Sequence, residues 1–227
     1  MEHNDFIDCS CGFCTEINGL NSDTNLFKSV ISPHTGLNDR YVYEDDKFVV
    51  MPTLGAFVEG YVMIVTKKHY DCVGKMPLED IIAIDRLLGV MKERVNRIYG
   101  TEVICFEHGS VSCANKFGGC LNHAHIHILP CNVSLIEEIS GYDLKISKLP
   151  SLAVLHDQGG AENPYLFFED VDGERYIITG EYIASQFFRK LVANHMGLPE
   201  SWDWRENLFL DNVLNTVRRL RQYGAKE

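Results

Sequence analysis

The stretch His123-Ala124-His125-Ile126-His127-Ile128 decides how this chain is read. Only nine histidines occur in 227 residues, so three at strictly alternate positions would arise by chance at roughly the one per cent level. On a β-strand successive side chains point to opposite faces. The three imidazoles would therefore line one surface while Ala124, Ile126 and Ile128 enter the core behind them. A neutral imidazole nitrogen is a good nucleophile toward phosphorus once a backbone carbonyl or side chain fixes its tautomer. His125, in the middle, is best placed for attack. His123 and His127 can orient it, bind phosphate oxygens or assist the leaving group. A solvent-facing strand and a three-histidine metal site remain alternatives.

Working outward, Lys47 to Leu54 and Gly60 to Thr66 are short Val-rich runs bounded by Pro, Gly and charges, which predicts two neighbouring strands around a loop with Gly55. Pro77 opens a segment in which Ile81, Ile84, Leu88, Met91, Val95 and Ile98 recur at steps of three and four. This is an amphipathic helix closed by Gly100. Glu102 to Glu107 and Ala124 to Leu129 read as two more strands, joined by a polar glycine-bearing loop from His108 to Asn122. Within it Ser110, Ser112, Asn115, Lys116 and Gly119 form a candidate phosphate cradle, because small residues let backbone N–H groups approach an anion. A plain polar loop fits equally well.

Twenty-one basic against 32 acidic residues leave a net charge of −11, which opposes attraction to an extended polyphosphate backbone. Any nucleotide must be held locally, as a small molecule. No stretch is apolar enough for a membrane span and the N-terminus carries no targeting pattern, so the expectation is a cytoplasmic protein. Eight scattered cysteines suit buried thiols plus a metal site better than a disulfide framework. The one tight cluster, Cys9-Ser-Cys11-Gly-Phe-Cys14, contains a C-x-x-C able to supply two thiolates to zinc. Reduced, unligated cysteines are the alternative, and Cys9 could replace Cys11. A nucleophilic role for Cys113 or Cys120 has little to support it beside three aligned histidines.

The His-x-His-x-His motif followed by apolar residues and Pro130, with the strand pair of YEDDKFVVMPTLGAFVEGYVMIVTKKHYD (43 to 71) upstream, resembles the histidine triad (HIT) superfamily over residues 11 to 131. The resemblance implies a two-step reaction: His125 takes a nucleoside monophosphate from a substrate and passes it to water or another acceptor, while His127 contacts phosphate and leaving group. It also implies, from zinc-bearing members, a ligand set of Cys11, Cys14, His69 and His123. Many relatives are dimers, so a homodimer is possible. The chain departs from the family at the ribose-binding positions, where Thr53 and Tyr61 stand, and four residues before the first triad histidine, where Gly119 replaces a Gln.

After Asn132 the composition shifts. Pro164 to Glu169 and Arg175 to Thr179 flank Asp-Val-Asp-Gly as a hairpin, and helical patterns follow over roughly 181 to 196 and 206 to 223. The segment from Ser185 to Arg205 resembles the C-terminal portion of bacterial HIT-like proteins and, more loosely, the CwfJ-like group. Gln186 and Arg189 share a helix face; the Arg can pair with phosphate or simply be solvated. Trp202 and Trp204 read as packing anchors. The expected architecture is α+β: a HIT-like antiparallel sheet with flanking helices over 1–132 and a mixed α/β extension over 133–227. The leading function is a hydrolase or nucleotidyl transferase acting on a phosphoanhydride, phosphoramidate or dinucleoside polyphosphate. A degenerate nucleotide-binding module and a zinc-stabilised interaction protein are the alternatives.

Overall fold

A computed structural model describes residues 11–109, 123–157, 164–181 and 183–224. Its centre is one antiparallel sheet built from β1 (Tyr43–Glu44), β2 (Phe48–Pro52), β3 (Val62–Thr66), β4 (Val103–Gly109), β5 (His125–Pro130), β6 (Lys145–Lys148), β7 (Tyr165–Glu169) and β8 (Arg175–Thr179), in the spatial order β1-β2-β3-β5-β4-β7-β8-β6. The helices are α1 (Gly12–Ile17), α2 (Ser32–Thr35), α3 (Leu78–Tyr99), α4 (Ile136–Ser140), α5 (Val154–Asp157), α6 (Phe187–His195) and α7 (Leu210–Gly224). A π-helical turn, Phe27–Ile31, leads into α2 and a 3-10 turn, Val73–Lys75, precedes α3. The class is α+β, as the sequence predicts. Among the described residues no helix is long and apolar enough to cross a membrane.

The strict alternation along β5 divides two environments. Ala124, Ile126 and Ile128 join Val62, Ile64 and the buried stripe Ile81, Ile84, Leu88, Met91 and Val95 of α3 on one side. Burying each such aliphatic side chain contributes about 1.5–3 kcal/mol, so α3 is held chiefly by its apolar face. Pro77 precedes its first turn and Gly100, with φ +66°, ends it in the left-handed conformation that glycine adopts without strain. The opposite face is covered in two parts. Phe13, Cys11 and Cys14 pack on Met51, Met63 and Val65, and Phe187, Phe188 and Leu191 of α6 pack on Phe106, Leu129 and Phe168.

Residues after 132 extend the same sheet. β7 pairs with β4 over Cys105↔Glu169 to Gly109↔Tyr165, and β7 and β8 form the predicted hairpin about Asp170 to Gly173. The sheet's centre is thus β5 and β4, flanked by strands from both halves of the sequence. The two C-terminal helices begin later than the periodicity suggests: Gly180 to Gln186 is non-helical where described, and α7 starts at Leu210.

Candidate active site and metal centre

β5 lies between β3 and β4, with Val65 opposite His125, and with Met63 and Phe106 opposite His127 on either side. His125 and His127 therefore face the side of the sheet roofed by α1 and α6. There they line a cavity of about 250 Å³ together with Phe13, Thr53, Phe106, His108, Gln186, Arg189 and other residues. The third histidine behaves differently. His123 precedes the strand and turns its ring toward the N-terminal cysteines.

The tautomers follow from the partners. His125 Nδ1 lies 2.6 Å from the carbonyl oxygen of His123, so Nδ1 carries the proton and Nε2 keeps its lone pair. Desolvation pushes the His125 pKa down to about 4, and the ring is neutral at physiological pH. His127 Nδ1 is 3.1 Å from the Tyr61 hydroxyl, and its ring stacks on Phe106 at 4.6 Å. Burial and the charge of its neighbours hold it well below the ordinary histidine range. Burial likewise raises the Tyr61 pKa, keeping its O–H protonated.

His123 Nε2 sits 2.7 Å from the carbonyl oxygen of Thr66. A proton there leaves the Nδ1 lone pair directed at sulfur, 3.4 Å from Cys11 Sγ and 3.6 Å from Cys14 Sγ. His69 Nδ1 is 3.3 Å from Cys14 Sγ, and one atom from each of the four residues lies within 4.8 Å of all the others. A tetrahedral ion with bonds of about 2.3 Å to sulfur and about 2.0 Å to nitrogen requires S···N edges of about 3.6 Å, which these spacings match. The backbone carbonyl on the far nitrogen of His123 is also the partner that orients a ligating imidazole. The Cys11 thiol is pulled down to about 3 by its hydrogen bond from Cys14, against the opposing effect of burial, with His123 adding to the lowering. The cluster is therefore able to hold a metal ion. With both nitrogens of His123 engaged away from the cavity, the three histidines do not converge on one ion of their own.

Of the remaining sequence-derived candidates, Thr53 is buried on the cavity wall, its hydroxyl donating to the Leu54 carbonyl oxygen at 3.1 Å. Ser110, Ser112, Asn115, Lys116 and Gly119 lie outside the described residues, as do Cys9, Cys113 and Cys120. Arg189, read from sequence as a residue that is either solvated or phosphate-pairing, is only 3% exposed. Trp202 offers its carbonyl to Arg189, and Trp204 lines the cavity.

Two contributors were not singled out in the sequence. His108 lies two residues beyond Phe106 on β4, and continuing the β4–β5 register sets it opposite His125. Its ring stacks on Phe188 and burial lowers its pKa to about 3. Glu16 and Arg40 form a buried bidentate pair on the cavity wall, Nε and Nη2 each donating at 2.7 Å, while Arg40 Nη1 donates to Pro52 O. The pairing register would have shown the first; nothing local in the sequence marks the second.

No family model matches the sequence, and no curated protein does. Solved structures do match. Several of the matching structures are of histidine triad proteins. A histidine triad nucleotide-binding protein from Sulfolobus tokodaii aligns at 18% identity and TM-score 0.40, over 53% of this chain and 68% of its own. A histidine triad protein from Clostridium difficile aligns at 22% and TM-score 0.37, over 59% and 96% respectively. A yeast Ap4A phosphorylase, solved in complex with Ap4A, aligns at 10% and TM-score 0.42, over 78% and 81%.

Proposed function

We propose that this chain is a histidine triad enzyme that cleaves a nucleoside phosphoanhydride or dinucleoside polyphosphate through a nucleotidyl group carried on His125. The observation that carries the reading is the hydrogen bond from His125 Nδ1 to the His123 carbonyl oxygen. It leaves a neutral, cavity-lining Nε2 as nucleophile, with a partner ready to stabilise the positive charge the ring acquires.

In the first step the Nε2 lone pair attacks phosphorus. The P–N bond forms, the P–O bond to the leaving group breaks, and its electron pair departs on the leaving oxygen. Tyr61 donates its O–H to His127 Nδ1, so the neutral ring keeps its proton on Nε2 and can hydrogen-bond phosphate oxygens as charge moves onto them. In the second step water, or another hydroxyl acceptor, attacks the same phosphorus. The P–N bond breaks, its electrons return to Nε2, and a proton is released with the nucleotide product. Residues 1–132 contribute the triad and 133–227 complete the cavity. The Cys11, Cys14, His69 and His123 cluster is assigned to a structural zinc, which would tie α1 to the start of β5 and fix the carbonyl that orients His125.

The test is rapid-quench mass spectrometry of the full chain with a dinucleoside polyphosphate. A nucleoside monophosphate adduct on the peptide containing His125, absent in a folded His125→Ala variant, is expected. Turnover without that adduct, together with inversion at a phosphorus made chiral by isotope and sulfur labels, overturns the reading. Two in-line displacements would instead give retention.

A further inference from the structure

The cavity contains a cation, Arg189, that no carboxylate among the described residues neutralises. Arg189, in the first turn of α6, donates from Nε to Trp202 O at 2.8 Å and from Nη2 to Gly55 O at 2.6 Å. Its guanidinium carbon lies 5.3 Å from the ring centroids of both Phe57 and Tyr61. Carbonyls and aromatic faces solvate a guanidinium partially but bring no negative charge. Nη1 is buried without a hydrogen-bond partner, and no carboxylate among the described residues forms an ion pair with Arg189.

The acids near it are committed elsewhere. Glu16 on the cavity wall is matched by Arg40 through two hydrogen bonds. Asp203 is matched by Arg205 through contacts of 2.9 and 2.6 Å. In a chain of net charge −11, a buried arginine without a counterion among the described residues is unexpected, because desolvating a charge without a partner is costly.

Gln186 adds a second, independent observation. It is 4% exposed and lines the same cavity. Neither its amide nitrogen nor its amide oxygen meets a partner in full hydrogen-bond geometry, and the one polar side chain it approaches, Asp203, has its pKa lowered first by Arg205 and to a lesser degree by this amide. Its backbone is left-handed, φ 58° and ψ 32°, an uncommon conformation for a residue with a Cβ. Unpaired buried polar atoms and an unfavourable backbone at one residue are what a ligand site retains when its ligand supplies the missing partners.

We infer that Arg189 and Gln186 form an anion subsite that holds a phosphate of the leaving group. The inference rests on the reading of His125 as nucleophile only in naming which part of the substrate is held. Arg189 stacks near Tyr61, whose hydroxyl contacts His127, so the subsite lies on the His127 side of the nucleophile. Arg189 Nη1 and the Gln186 amide N–H donate to phosphate oxygens, and the Gln186 carbonyl oxygen accepts from a protonated phosphate or a hydroxyl. Such a subsite selects substrates whose leaving group carries its own phosphate, a nucleoside polyphosphate above all, over phosphoramidates, whose leaving amine has no negative charge.

Calorimetric titration of the full chain separates the claims, with inorganic pyrophosphate as one probe and a nucleoside monophosphate as the other. Wild type is expected to bind both. Arg189→Met should lose pyrophosphate affinity by about tenfold or more, the usual scale for a lost charge-assisted contact, and Gln186→Leu by about threefold. The monophosphate should lose less in both variants. Arg189→Met also removes two bonds to backbone carbonyls, so Gln186→Leu, which removes only the approach of the amide to an Asp203 already paired with Arg205, decides the matter if the arginine variant misfolds. Monophosphate binding without pyrophosphate binding, or Gln186→Leu binding pyrophosphate as wild type does, overturns the subsite alone. Failure of wild type to bind either probe overturns the proposed function with it.

Discussion

The Tyr61 hydroxyl and His127 Nδ1 lie 3.1 Å apart in a pocket that seals both from solvent. A tyrosine whose pKa burial raises stays protonated and keeps an O–H to donate, so this contact selects which nitrogen of His127 carries the ring proton. Tyr61→Phe frees Nδ1 to take that proton and leaves Nε2 without one. The expected result is a kcat lowered by about 10- to 100-fold with KM little changed, since the hydrogen bond from His127 matters most as charge builds on the phosphate oxygens. Steady-state kinetics check it. Equal changes in kcat and KM would instead indicate a packing role.

The Glu16–Arg40 pair is expected to matter for stability more than for rate. Both side chains are nearly inaccessible, at 5% and 2%. Removing one partner strands a buried charge, so Glu16→Gln or Arg40→Met should each cost about 3–5 kcal/mol, measured by urea unfolding. The double variant should recover part of that loss, as coupled sites do not add.

Metal analysis of purified protein should give one zinc per chain. Cys14→Ser removes the thiolate that approaches both His69 and His123 and should abolish stoichiometric zinc and lower the thermal midpoint. Zinc-free wild type whose unfolding is unchanged by a chelator contradicts the assignment.

Glu107 gives the fold a pH dependence of its own. Burial raises its pKa to about 7, against hydrogen bonds from the Val73 N–H and the Tyr165 hydroxyl, each at 2.7 Å. Cys72 and Tyr165 beside it are pushed upward and stay protonated in this range. A carboxyl whose folded pKa lies above its unfolded value of about 4.3 binds more protons when folded. Its contribution is therefore fully present below pH of about 4.3 and is lost as pH rises toward 7, levelling above that. The loss amounts to about 4 kcal/mol. Urea unfolding of wild type and Glu107→Gln at pH 5 and pH 8 should show the variant gaining relative stability at the higher pH. A parallel dependence in both proteins would assign the effect to other groups.

The elements legible in the sequence are those whose burial is periodic. The alternation in β5 and the three-and-four spacing in α3 each record one buried face, and β7 and β8 are marked by the Asp-Val-Asp-Gly turn between them. β6 has no such signature, because Lys145–Lys148 offers only one apolar residue and lies at the sheet edge. α1 leaves no helical pattern, because it has six residues and no acidic first turn. The same division runs through the site. His125 and His127 announce themselves by spacing, whereas Gln186 and Arg189 reach the cavity only through the packing of α6, and Glu16 meets Arg40 across 24 positions. Long-range pairing has no local signature.

The strand order carries a consequence for how this chain can be divided. β4 is bounded on one side by the triad strand and on the other by β7. Severing the chain after residue 132 would uncover the backbone donors and acceptors of β4 from Cys105 to Gly109, beside Phe106 stripped of Phe168 and Phe188. A bare, aromatic-lined strand margin recruits other strands. An amino-terminal fragment that keeps all three histidines would therefore be prone to polymerise, so a fragment that stays monomeric has to include the carboxyl-terminal strands.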